Sequence, residues 1–188
     1  MSKRDTLIDT ALDLFYRFGI HAVGINEVLA QSGIAKKTLY KYFPSKDDLI
    51  VACVVERDRR FTQWLSKRCQ NSDSVIVLIE EIFSALDDWI NNRAPELGPF
   101  NGCFFINTAA EYSDESCDIY RQCKQHKNNI KRIFSDHLSS NILNENRAEL
   151  MLDTLLLLKE GAINSAFVMG DKQAANKAKK IALNLLYK

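Results

Sequence analysis

Apolar residues along this chain recur with a helical period almost from end to end. Leu7, Ala11, Leu14, Phe15 and Phe18 fall at i, i+4, i+7, i+8 and i+11, which predicts an amphipathic first helix that Gly19 is placed to end. Ile25, Val28 and Leu29 form a second, shorter apolar set running to Gly33, and Ile34, Leu39 and Phe43 form a third that stops at Pro44. Two short helices about a glycine turn follow from this. Ser45-Lys46-Asp47-Asp48 then has the form of a helix start, with the Ser45 hydroxyl capping an early N–H and Asp48 returning the bond. A long fourth helix is expected from there to about Arg68.

Polar residues Asn71 to Ser74 interrupt the pattern, which resumes from Val75 to Asn92 through Ile79, Ile82, Phe83, Leu86 and Ile90. Ala94 to Gly102 holds two of the three prolines and two glycines and reads as the main loop. Helical periods return at Cys103 to Tyr112, Ser116 to about Ser139, Glu145 to about Met169, and Asp171 to the C-terminus. The segment near 145–169 is apolar on nearly every side, with Met151, Leu152, Leu155 to Leu158, Ile163, Ala166 and Phe167, so it needs cover all round. It is either a wholly internal core helix or one whose second face meets another copy of the chain. The apolar stripe Ala174, Ala178, Ile181, Leu185 and Leu186 on the last helix, and the tendency of soluble proteins to form symmetric homodimers, favour a dimer through the helices at about 145–169 and 171–188.

Composition agrees with an all-α fold. With 188 residues, 46% of them hydrophobic, and only seven glycines and three prolines, the chain can bury a core and suits helices better than short strands and frequent turns. Cys53, Cys69, Cys103, Cys117 and Cys123 are odd in number and lack the close pairing of zinc sites, which fits free thiols in a reducing cytoplasm. His21, His126 and His137 are too dispersed for a metal site, and no cofactor is expected. The charged N-terminus lacks a secretory apolar core, and the apolar run Leu155 to Leu158 is flanked by Asp153, Lys159 and Glu160, far short of a bilayer span. A soluble cytoplasmic protein without membrane contact is expected. No glycine-rich phosphate loop, HExxH, GxSxG or paired-carboxylate motif supports an enzyme.

The net charge of +1 says nothing about nucleic acid, because phosphate binding depends on local rather than total charge. Its distribution does. Between Glu27 and Asp47 there is no acidic residue, yet Lys36, Lys37, Lys41 and Lys46 fall there. In a helix-turn-helix, a first short helix braces a second whose exposed residues enter the major groove, about 12 Å wide. Ile34 and Leu39 would face inward, leaving Lys36, Lys37, Thr38 and Lys41 on the opposite side, with Tyr40 and Tyr42 at its edges. Lysine donates to guanine O6 or N7 or to phosphate, threonine bonds a base edge or touches a thymine methyl, and tyrosine bonds phosphate. Lys46, at a helix N-terminus, is placed to clamp a phosphate together with free backbone N–H groups. A merely solvated lysine face is the plainer alternative. It is weakened by the agreement of helix lengths, turn, acid-free stretch and aromatic residues.

The stretch Gly19 to Leu49, GIHAVGINEVLAQSGIAKKTLYKYFPSKDDL, resembles the N-terminal signature of the TetR regulator family, most specifically at Ser32-Gly33-Ile34, Thr38-Leu39-Tyr40, Tyr42-Phe43 and Ser45-Lys46. Together with the first helix, the resemblance covers about a quarter of the chain. It implies base reading by Lys36, Lys37, Thr38 and Lys41, phosphate contacts from Tyr42 and Lys46, and either role for Tyr40. Gly24 departs from the Ser or Thr that usually caps the second helix in the family, and Leu29 stands where a small alanine is common. The implied organisation is a helix-turn-helix DNA-binding domain at 1–48 and an all-helical regulatory and dimerisation domain at 49–188. The implied function is a repressor that a small-molecule effector releases from double-stranded operator DNA.

Effector pockets are mainly apolar with a few polar anchors. Candidate walls are Trp64, Phe83, Trp89, Phe100, Phe104, Phe105, Tyr112, Tyr120 and Phe167, and Asn107 and Glu111, one turn apart, read either as polar anchors or as surface or helix-end residues. Cys103 follows Asn101-Gly102 at an expected helix start, where the helix dipole favours thiolate. It reads either as a thiol or electrophile sensor or as a buried structural cysteine beside Phe104 and Phe105. A helical interaction module that does not read DNA is the remaining alternative.

Overall fold

Local capping chemistry fixes four of the helix starts in the computed structural model, which describes residues 2–142 and 144–186. Helix α1 (Lys3–Phe18) begins at Ser2, whose hydroxyl accepts the Asp5 N–H at 3.2 Å while the Asp5 carboxylate accepts the Ser2 N–H at 3.1 Å. The same reciprocal box opens α4 (Lys46–Cys69): Asp48 N–H donates to Ser45 Oγ at 3.1 Å and Ser45 N–H to the Asp48 carboxylate at 2.9 Å. Ser74 caps α5 (Val75–Ile90) and Asn144 caps α8 (Glu145–Met169) in the simpler one-sided way. Helix α2 (Ile25–Ser32) starts at Gly24 with no side-chain cap and ends at Gly33, whose φ of +67° makes the left-handed turn into α3 (Lys36–Tyr42). The remaining helices are α6 (Phe104–Glu111), α7 (Asp118–Asn141) and α9 (Ala174–Leu186). Tyr187 and Lys188, the last residues of the expected final helix, lie outside the described residues.

The chain divides into two compact units, with the divisions falling inside α4, between Cys103 and Phe104, and inside α7. The first unit holds the residues up to Arg59 together with Phe104–His126. There α1 packs on α2 and α3, burying Leu7, Ala11, Leu14 and Phe15 with Val28, Leu39, Phe43 and Leu49. Phe18 departs from the expected stripe. It is 52% exposed, with the Arg17 guanidinium over its ring, because the helix stops there and the chain turns away at Gly19. More of the chain is thus grouped with the helix-turn-helix than its first 48 residues.

The second unit holds Arg60–Cys103 and the chain from Lys127 onward. Helix α5 is its most buried element, and α8 and α9 pack on it and on each other. The expected loop contains a 3-10 turn at Pro95–Leu97. Phe100 is held by its N–H bond to Asn92 Oδ1 at 2.7 Å and meets Trp89 edge-on at 4.9 Å. Helix α8 has two unlike faces. Met151, Leu152, Leu155, Ala162, Ile163 and Ala166 are buried, whereas Leu150, Leu157, Val168 and Met169 are about 70–80% exposed. Ile181 and Leu185 of α9 are also exposed. A wholly internal α8 is excluded within the single chain. Among the described residues no helix is long and apolar enough to cross a membrane.

Candidate nucleic-acid interface and effector region

Burial of one residue sets the orientation of α3. Leu39 is fully buried, and because successive helical residues are about 100° apart, its burial turns Lys37 and Lys41 to the opposite side, while Lys36 stands at the open first turn of the helix. All three are exposed and, among the described residues, none is ion-paired. Thr38 is half-buried beside Leu39, while Tyr40 and Tyr42 are each about 40% exposed. The Lys36 ammonium lies 6.0 Å from the centre of the Tyr40 ring, so these two side chains share one edge of the helix. The surface is cationic, hydroxyl-bearing and free of carboxylates along α3.

Lys46 is placed differently from the free clamp that its position suggests. Its ammonium donates to the Ile20 carbonyl at 2.7 Å and lies 5.8 Å from the Phe15 ring, so part of its donor capacity is spent inside the first unit. The first turn of α4 also carries Asp47 and Asp48, and the Asp48 N–H is occupied by Ser45. One backbone donor at this helix end is therefore already taken, as the capping box read from the sequence requires.

The effector candidates fall into both compact units. Phe104, Asn107 and Glu111 belong to the first, and Trp64, Phe83, Cys103 and Phe167 to the second. Phe104 is buried with its ring edge-on to Tyr16 at 6.0 Å, and Asn107 is half-buried. Glu111 is not an unengaged anchor. It accepts the Ile20 N–H at 2.9 Å and the His21 N–H at 2.6 Å, and lies 2.9 Å from His21 Nδ1. Burial opposes its charge, but these bonds outweigh that cost and hold its carboxyl below the ordinary glutamate range.

In the second unit Phe83 is fully buried, and Phe167 is 43% exposed, with its ring pressed on Gly102, where a Cβ would come within 2.8 Å. Trp64 packs against Phe61 and lines a cleft of about 440 Å³ with Lys67, Arg68, Val77, Glu81 and the loop at 93–96. Arg68 in this cleft is already paired with Glu81 and Asp88.

One polar cluster joins residues that lie far apart in the sequence. Lys159, inside the leucine-rich helix, is 1% exposed. Its ammonium and that of Lys127 donate to the same Glu160 oxygen at 2.7 and 2.8 Å, and Lys127 Nζ is 3.7 Å from Cys103 Sγ. Burial opposes ionisation of Glu160, yet the two ammonium groups draw its pKa down to about 2. Burial also lowers Lys159, which Glu160 only partly offsets, whereas Lys127 is raised because Cys103 and Glu160 together outweigh its burial. The available signal was spacing: Lys159 is four residues from both Leu155 and Ile163, on the buried stripe of α8.

Comparison with known proteins agrees with the local geometry. Residues 7–53 match the family model described as bacterial regulatory proteins, tetR family. The chain is 27% identical over 126 residues to the HTH-type transcriptional repressor ComR of Escherichia coli, covering 64% of this chain and 56% of ComR. It is 35% identical over 51 residues to the regulator RutR of the same organism, covering 27% and 24% of the two chains. The aligned part thus spans about half or less of these curated relatives. Along nearly its whole length the fold resembles the crystal structure of SCO4454, a TetR-family transcriptional regulator from Streptomyces coelicolor, with a TM-score of 0.86, 25% identity and coverage of 98% and 94%. The helix-turn-helix signature and the all-helical body coincide in one chain, which belongs to the TetR family of bacterial regulatory proteins.

Proposed function

We propose that the protein is a sequence-specific, DNA-binding transcriptional repressor that a small-molecule effector releases from its operator. The observation that carries the DNA-binding part is the outward lysine face of α3, braced from behind by buried Leu39 and Val28. In this reading residues 1–48 supply the DNA-reading surface and 49–188 the regulatory and dimerisation functions. Lys36, Lys37, Thr38 and Lys41 read base edges. Tyr42 and Lys46 hold phosphate, Lys46 through donors left over from its bond to Ile20, and Tyr40 serves base or phosphate. The exposed apolar faces of α8 and α9 support a homodimer, which a two-fold operator requires. The test is duplex binding by wild type and Lys36→Ala on the DNA upstream of the protein's own reading frame and on random duplex. Base reading predicts a larger loss on the upstream DNA, and equal losses refute it.

For release, an effector must prefer the state that cannot engage DNA, since equal affinity for both states shifts nothing. Trp64, Phe83, Cys103, Phe104, Asn107 and Phe167 remain candidates for contact. A thermal-shift screen of metabolites and antimicrobials, followed by release assays on the hits, tests the proposal. Hits that stabilise without releasing DNA are ligands but not inducers.

A thiol-responsive reading has one observation in its favour, the Lys127 ammonium 3.7 Å from Cys103 Sγ. The 7% exposure of Cys103 opposes it. Under this reading, Cys103→Ser abolishes release from DNA by peroxide, and a mutant that responds as wild type does rules it out.

A further inference from the structure

The segment leading from α1 into the helix-turn-helix is gripped at a single peptide group. The carbonyl of the Ile20–His21 peptide accepts from Lys46 Nζ at 2.7 Å, and its N–H donates to Glu111 at 2.6 Å. Glu111 adds the Ile20 N–H at 2.9 Å and the His21 ring nitrogen at 2.9 Å, while Tyr112 stacks on that ring with centroids 5.0 Å apart. Lys46 opens α4 and Glu111 closes α6, so this peptide ties α1, α4 and α6 together four residues before α2 begins. Ile20 itself is 1% exposed, so its N–H has no route to water, and losing the carboxylate would leave a buried donor unsatisfied.

We propose that Glu111 is a positioning residue of the DNA-reading head. It fixes the Ile20–His21 peptide, and through it the entry angle of α2 and the seat of Lys46, although it does not itself touch DNA. This rests on the DNA-binding reading given above. It also gives residues 104–111 a purpose in the first compact unit, to which they return from far along the chain. A carboxylate is needed because it can accept from two adjacent N–H groups and the imidazole at once. An amide of the same shape has one acceptor oxygen and turns a donor toward the second N–H.

Electrostatics and positioning predict opposite signs for Glu111→Gln. Removing a negative charge from a DNA-binding unit strengthens its attraction to phosphate. Loosening the reading head weakens recognition. The experiment measures binding of wild type and E111Q, as full chains, to the upstream duplex and to random duplex at one salt concentration. The proposal expects upstream affinity to fall roughly tenfold, as for loss of one charge-assisted hydrogen bond, with random-duplex affinity unchanged or slightly higher. The ratio of the two affinities is the deciding readout, because a partly unfolded sample scales both equally. A ratio equal to that of wild type, or a rise on both duplexes, overturns the proposal. If E111Q does not fold, E111D, which keeps the charge but retracts it from the peptide, is measured on the same duplexes with the same two outcomes. Wild-type protein that binds neither duplex overturns the DNA-binding reading itself, whereas wild-type binding with an unchanged E111Q ratio removes only the role of Glu111.

Discussion

Individual side chains in this protein differ in whether solvent or neighbours decide what they do. Lys36 and Lys41 are exposed and, among the described residues, not ion-paired, so their donors are available to a partner. Lys36→Ala or Lys41→Ala is expected to cost about 1 to 3 kcal/mol on the preferred duplex and to relax sequence preference, read by competition with base-substituted duplexes. Unaltered preference in both variants would count against their role as base readers. Glu160 lies at the other extreme, between two ammonium groups. Its folded pKa of about 2 lies below the ordinary 4.5, so its contribution to stability is complete above pH 4.5 and is lost as pH falls toward 2. Glu160→Gln should lower stability at neutral pH, by leaving two ammonium groups without their shared carboxylate, and should flatten the acid limb of denaturant unfolding between pH 4.5 and 2. An acid limb as steep as that of wild type would refute this.

At the level of elements, what the sequence discloses depends on how local the cause is. The box at Ser45 and Asp48 could be read directly, because both partners lie within one turn, and Ser45→Ala is expected to cost about 1 kcal/mol in chemical denaturation. Had the box been incidental, the midpoint would not move. The helices from 75–90 and 145–169 were legible from period alone, and the turn at Gly33 from the need for positive φ. The equivalent box at Ser2 and Asp5 has the same spacing but no apolar run immediately behind it to draw attention. Long-range features were not legible. Nothing in the sequence around Glu111 points to Ile20 and His21, about ninety residues away, and so its carboxylate reads as a free anchor. Lys46 reads as a free cation for the same reason. Lys159 is the instructive intermediate: its spacing marks it as buried, but its chemistry argues the opposite, and only Glu160 and Lys127 reconcile the two.

For the molecule as a whole, two surfaces stay uncovered in the single chain, the cationic face of α3 and the apolar faces of α8 and α9. Leu150 and Leu157 lie seven residues apart and Val168 eleven further on, which keeps them near one line along α8. Leu157→Glu combined with Val168→Glu is expected to convert a dimer to a monomer in sedimentation velocity. A double variant that sediments as wild type does would move the interface elsewhere. Loss of the dimer should also weaken operator binding far more than random-duplex binding, because both half-sites must be engaged together.

Whether the lysine face of α3, together with Lys46 at the start of α4, engages DNA is read from the salt dependence of binding to the protein's own upstream duplex. Each phosphate neutralised releases condensed counterions, so the logarithm of the association constant should fall linearly with the logarithm of salt concentration, with a slope of about −0.9 per contact. A slope of several units is expected, and it becomes shallower in Lys46→Ala. Binding that is absent, or that shows no slope against salt, would contradict that engagement.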